Sequence, residues 1–147
     1  MKLLECSVCG HVEFDVAPDK CLVCRSVQAY KENDAAIKRP GQTPGGEADK
    51  KHLPFIKVEA DSFFAGSTDS VLVKAVIGEM EHPMKAEHFI RWMDFYVDHK
   101  FVNRVWLSPA LNRPAAAVSI RAKSGTVTVC QNCNMHGTWM TEQAFGA

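Results

Sequence analysis

His52 in KHLPF, His82 and His88 in HPMKAEH, and Cys133 and His136 in CNMHG supply four imidazoles and one thiol. That donor set suits a transition metal, iron foremost. A structural zinc site normally closes at four ligands, so five donors would be an unusual way to build one. On iron, five donors leave one coordination position open, and metal catalysis requires an open position. The residues therefore predict redox chemistry at that position.

A second donor set lies near the N-terminus, where Cys6-x-x-Cys9 is followed by Cys21-x-x-Cys24. Two such knuckles present four sulfurs to one tetrahedral ion. Zinc and iron both accept four thiolates, so the spacing leaves the choice between them open. A third C-x-x-C joins Cys130 to Cys133. A thioredoxin-like redox pair belongs at a helix N-terminus after a strand. Here the pair ends the strand-like GTVTVC, so Cys130 is expected to be a buried spectator.

These ligands must be positioned by a chain of 147 residues, 46% hydrophobic and 23% charged, with zero formal net charge. A balanced charge offers no electrostatic footprint for nucleic acid. The apolar runs are too short to span a bilayer, and MKLLECSVCG lacks the apolar core of a signal peptide, so a cytoplasmic location is expected. In that compartment thiols stay reduced, which favours metal ligation over disulfides.

Residues 1–30 hold the first four cysteines and little that could build a core, so this unit needs a metal staple. Residues 31–51, KENDAAIKRPGQTPGGEADKK, are rich in Pro, Gly and charge and are expected to form an open linker. From His52 to Ala147 the character changes. FIKVEA, SVLVKAVIG, HFIRWMDFYVD, FVNRVWLS, AAVSIRA, GTVTVCQNC and GTWMTEQAF are read as strands separated by turn sequences. The third stretch also fits a helical stripe; its aromatics and its neighbours favour a strand. The expected fold is mostly β: an immunoglobulin-like, seven-stranded sandwich behind a small metal domain. His11 and His99 match no motif and are expected on the surface. Trp92 and Trp139 adjoin the motifs and serve equally as core or as shields of the imidazoles. Pro83 and Met84 are expected to shape the loop carrying His82.

CSVCGHVEFDVAPDKCLVC resembles the rubredoxin-like tail of rubrerythrins, departing from it at Arg25, where those domains usually carry Gly. KHLPFI, HPMKAEHFIRWM and CNMHGTW, in that order over roughly residues 50–140, resemble the iron-binding domain of the superoxide reductases, the desulfoferrodoxin and neelaredoxin family. The resemblance implies His52, His82, His88 and His136 as equatorial iron ligands and Cys133 as the axial thiolate. It implies reduction of superoxide to hydrogen peroxide, a rubredoxin-like electron donor, and a homodimer or homotetramer. It makes Cys6, Cys9, Cys21 and Cys24 the ligands of an iron or zinc ion. In the family a lysine precedes the first histidine, which here is Lys51, placed to steer the superoxide anion. Many members carry Glu before that lysine; this chain has Lys50 there, with Asp49 one residue earlier, so oxidised iron is expected to keep solvent or an open position. The alternative is a non-catalytic iron protein for electron transfer or metal binding.

Overall fold

The computed structural model describes residues 1–41 and 47–146. Three strands, β1 (Leu3–Cys6), β2 (Val12–Phe14) and β3 (Tyr30–Glu32), form a small sheet in the order β2-β1-β3. A two-residue strand β4 (Ile37–Lys38) and a short helix α1 (Glu47–His52) follow. Then come β5 (Pro54–Ala60), β6 (Val71–Ile77), β7 (Ile90–Val97), β8 (Lys100–Trp106), β9 (Ala115–Ile120), β10 (Gly125–Cys133) and β11 (Gly137–Phe145). All seven expected strands are present, including the ambiguous β7. They make two facing sheets, β4-β11-β10-β7-β8 and β5-β6-β9, which is the expected sandwich with β4 added parallel to β11.

The five-stranded sheet is covered on both faces, and the pattern of β7 explains why. In IRWMDFYV, Ile90, Met93 and Phe95 enter the core between the two large sheets with Val73, Ile77, Val127, Val129 and Cys133. Trp92 and Tyr96 instead join Leu3, Val12, Phe14, Cys130 and Met140 in a second core beneath the N-terminal sheet. A strand apolar on both parities is what burial on two sides demands. Asp94 shares the second face and is fully buried there. The β7–β8 hairpin turns on Asp98 and His99, at φ 49° and 63°. Paired positive φ values give the two-residue turn whose twist matches its flanking strands.

Two expectations change. Residues 31–51 are not simply an open linker: β3 pairs with β1, Ala36 and Ile37 are buried, and β4 pairs with β11. Ala36 and Ile37 are buried apolar side chains in a largely polar stretch, and they pin it to the second core. Residues 42–46 lie outside the described residues. His11 is completely buried rather than on the surface, because β2 is pressed against β7 and β8. His99, half-exposed, pairs with Glu142 at 2.9 Å.

Candidate metal centres

The five expected ligands converge at one end of the sandwich. His52 ends α1, His82 and His88 lie in the loop from β6 to β7, Cys133 ends β10, and His136 sits in the β10–β11 turn. The four imidazoles form a closed ring: centroid separations run 5.0 Å from His52 to His82, 4.7 Å on to His88, 5.1 Å on to His136 and 4.8 Å back to His52. His52 Nε2 and His136 Nδ1 are 3.2 Å apart. Two cis ligands at metal–nitrogen distances of about 2.1 Å would be about 3 Å apart. Cys133 Sγ lies 3.6 Å from His136 Nδ1. The donor atoms of His52, His88, Cys133 and His136 all fall within 4.8 Å of one another. His82 is outside that tight set, yet its ring closes the square.

Two orphaned atoms show that the ring suits a metal. His82 Nε2 and His88 Nε2 are buried and have no hydrogen-bond partner among the described residues. His82 uses Nδ1 for Pro83 O at 2.8 Å, which turns its Nε2 lone pair to the centre, as metal-ligating histidines usually do. Burial pushes the His82 imidazole down to about 4; burial, then the adjacent His136, lowers His88. Both rings are therefore neutral lone-pair donors at neutral pH.

Each ligand is held from outside the ring. Trp139 stacks on His52 at 4.8 Å, and its Nε1 donates to His136 O at 3.1 Å. Gln131 Nε2 donates to His52 O at 2.8 Å, and Lys38 Nζ to His136 O at 3.0 Å. Asn134 ties the Cys133 turn to the His88 loop by accepting from Phe89 N–H at 2.9 Å and donating to Glu87 O at 3.1 Å. A register shift at Asn132–Cys133 sets Cys133 opposite Ile90. Bulges commonly re-aim side chains in this way beside functional sites. Trp139 thus shields an imidazole. Trp92 belongs to the second core and lies under Arg104. Gln131, Asn134 and Lys38 had no local sequence signal, because their partners are set by tertiary pairing.

The His82 loop hangs on Gly78. Its N–H donates to Leu53 O at 3.1 Å, and Glu79 N–H donates to Lys50 O at 2.6 Å. Gly78 has φ +90°, and a Cβ there would collide with Met80 O and lie 2.9 Å from Lys51 O. Gly78→Ala is expected to cost more than about 1 kcal/mol and to displace His82. Thermal unfolding together with metal content measures both effects; parental values for both would contradict this reading.

A cleft of about 380 Å³ opens over the ring, lined by Lys51, Met80, Glu81 and Pro83 as well as by His52, His82, His88 and His136. Lys51 is exposed at its wall. Glu81 is ion-paired with Arg113, and Asp49 Oδ2 accepts from Gly41 N–H at 2.7 Å.

The N-terminal cysteines meet as the spacing requires. Cys6 and Cys24 sulfurs are 3.7 Å apart, Cys9 and Cys21 are 3.6 Å apart, and all four lie within 4.8 Å of one another. A tetrahedron with metal–sulfur bonds of about 2.3 Å has edges of about 3.8 Å. Burial pushes the Cys6 thiol up. At Cys21 burial is outweighed by hydrogen bonds, led by the Cys24 amide, which hold the thiol near 6. Cys130 is fully buried in the second core, on the opposite face of β10 from Cys133, and joins neither ligand set.

A β-sandwich presenting an imidazole–thiolate ring at its loop end, with a four-thiolate knuckle pair docked on its flank, defines a metalloprotein with two separate centres. The desulfoferrodoxin family model matches residues 45–142. The desulfoferrodoxin of Syntrophotalea carbinolica is 33% identical over 143 residues, covering 97% of this chain and 96% of that protein. The superoxide reductase of Pyrococcus horikoshii is 31% identical over 104 residues, 63% of this chain and 85% of the relative. The solved superoxide reductase (neelaredoxin) of Ignicoccus hospitalis shares the fold, with TM-score 0.61 at 24% identity over 76% of this chain and 95% of that one. This chain belongs to the desulfoferrodoxin family.

Proposed function

We propose that His52, His82, His88, His136 and Cys133 would together hold one iron, and that this centre makes the chain a superoxide reductase. The observation that carries the reading is the closed imidazole ring beside buried Cys133, facing a cleft that Lys51 lines. Iron in this set supplies one electron to superoxide, which with two protons becomes hydrogen peroxide. The protein's residues provide the rest. Neutral imidazoles keep the ring free of repulsive negative charge. Cys133, buried and not part of the cleft lining, would lend electron density to the iron as a thiolate. Met80 and Pro83 give the cleft an apolar wall, and Lys51 raises the local concentration of a small anion. Removing iron with a chelator is expected to abolish superoxide reduction, with ferrous iron restoring it and zinc failing to; activity in the iron-free protein would contradict the reading.

Lys51→Met is expected to slow the reaction about 10-fold at low ionic strength and to flatten its salt dependence. A variant with parental rates across ionic strength would remove Lys51 from the mechanism. Lys50 precedes Lys51, Glu81 is ion-paired with Arg113, and Asp49 accepts from the Gly41 amide through Oδ2 while its Oδ1 is buried with no partner among the described residues; no carboxylate is expected to bind the oxidised iron. A spectroscopic signature of carboxylate bound to ferric iron would refute this.

In this reading residues 1–30 form the four-cysteine unit, holding iron or zinc, residues 31–51 connect it, and residues 52–147 form the catalytic domain. A rubredoxin-like protein supplies electrons in the cytoplasm, and the chain assembles as a homodimer or homotetramer; sedimentation measures the assembly. Among the described residues no helix is long and apolar enough to cross a membrane.

A further inference from the structure

The N-terminal knuckle is clamped by a buried polar group that neither metal centre contains. His11, two residues beyond Cys9, sets Nδ1 2.7 Å from Asp94 Oδ2 and Nε2 2.5 Å from Glu13 Oε2. Arg104 of β8 donates Nε and Nη2 to the two Asp94 oxygens at 2.6 and 2.9 Å. Its remaining arm, Nη1, donates to the backbone carbonyl of Cys9 at 3.1 Å. The guanidinium lies 3.6 Å above the Trp92 ring. Gly10, at φ +79°, comes so close to that ring that a Cβ would sit 3.3 Å from it. The knuckle itself is closed by Gly10 N–H to Cys6 O at 3.0 Å and Cys6 N–H to His11 O at 2.8 Å.

We propose that Arg104 and Asp94, on strands of the sandwich, are positioning residues of the four-cysteine centre: they fix the Cys6–Cys9 knuckle closed and so slow loss of its metal. This rests on the reading of Cys6, Cys9, Cys21 and Cys24 as metal ligands. Rotation of the Cys9 side chain alone lifts its sulfur only briefly; opening the knuckle so that the ion escapes swings the Cys9 carbonyl away, which breaks the bond to Arg104 and pulls Gly10 from Trp92. Buried, doubly anchored partners resist that motion more than solvent would. The coupling is reciprocal: what the sandwich does for metal retention, the metal does for docking of the N-terminal unit.

The test uses the full-length holoprotein challenged with a chelator, following by mass spectrometry the rate at which each cysteine becomes alkylatable. Arg104→Met and Asp94→Asn are expected to expose Cys9 and Cys21 about 10- to 100-fold faster, the range for lost outer-shell partners of a metal site. Arg104→Lys, which keeps the charge and loses the fork, should fall between. Cys133 should be exposed at the parental rate in all three, with unchanged far-ultraviolet circular dichroism. Parental rates at Cys9 and Cys21, or an equal acceleration at Cys133, would overturn the proposal. No arm depends on superoxide, so failure here is distinguishable from failure of the catalytic assignment.

Discussion

Cys133→Ser is expected to lower superoxide reduction by at least about 100-fold, beyond what loss of an outer-shell partner costs a metal site. The fold should survive. Serine is close in volume to cysteine, and the bulge and hairpin that place residue 133 are set by the backbone pairing of β10 with β7 and β11. What is lost is the sulfur. A hydroxyl is a harder donor than a thiolate and cannot push the same electron density to iron. No second cysteine lies among the described residues of that core to replace it. Rates with superoxide, together with the visible thiolate-to-iron absorption, read the effect. A rate within threefold of the parent, with the absorption gone, would show that the Cys133 sulfur is dispensable.

Asp94→Ala is expected to destabilise the protein by about 3–5 kcal/mol, the cost of breaking a buried ion pair by removing one partner. Asp94 has no exposed side-chain surface and accepts from both Arg104 and His11. Burial alone would push the His11 imidazole down. The hydrogen bonds that the ring donates to Asp94 and then to Glu13 outweigh it and hold the group near 9, so the ring is a buried cation at neutral pH. Removing Asp94 strands the Arg104 guanidinium and leaves His11 with Glu13 alone. Tyr96, whose hydroxyl donates to Val12 O at 2.5 Å, would be left as the main polar tie between β7 and β2. Denaturant unfolding of the variant measures the loss; a loss under about 1 kcal/mol would show that the cluster is offset by water entering the gap.

The strands of the sandwich could be read from alternation in VLVKAVIG and TVTVC, and the ligands from three short motifs, because both are local patterns. His11 could not. Its neighbours in CGHVEF give no hint of burial, which comes from partners 83 and 85 residues away. The clue was Asp94: a carboxylate in the middle of IRWMDFYV needs a buried cation, and the sequence does not say which one. The stretch 31–51 misled for the opposite reason. Its composition is that of a linker, and two apolar residues, Ala36 and Ile37, were enough to bind it to the sheet. The ring's supports, Gln131 and Asn134, are ordinary amides whose roles exist only once β10 meets α1 and the His88 loop.

Product stoichiometry separates a superoxide reductase from a dismutase. Superoxide delivered to the iron-loaded protein with an excess of electron donor should yield about one hydrogen peroxide per superoxide consumed, with no dioxygen. Half that peroxide accompanied by dioxygen, or superoxide decaying no faster than in buffer, would contradict the assignment.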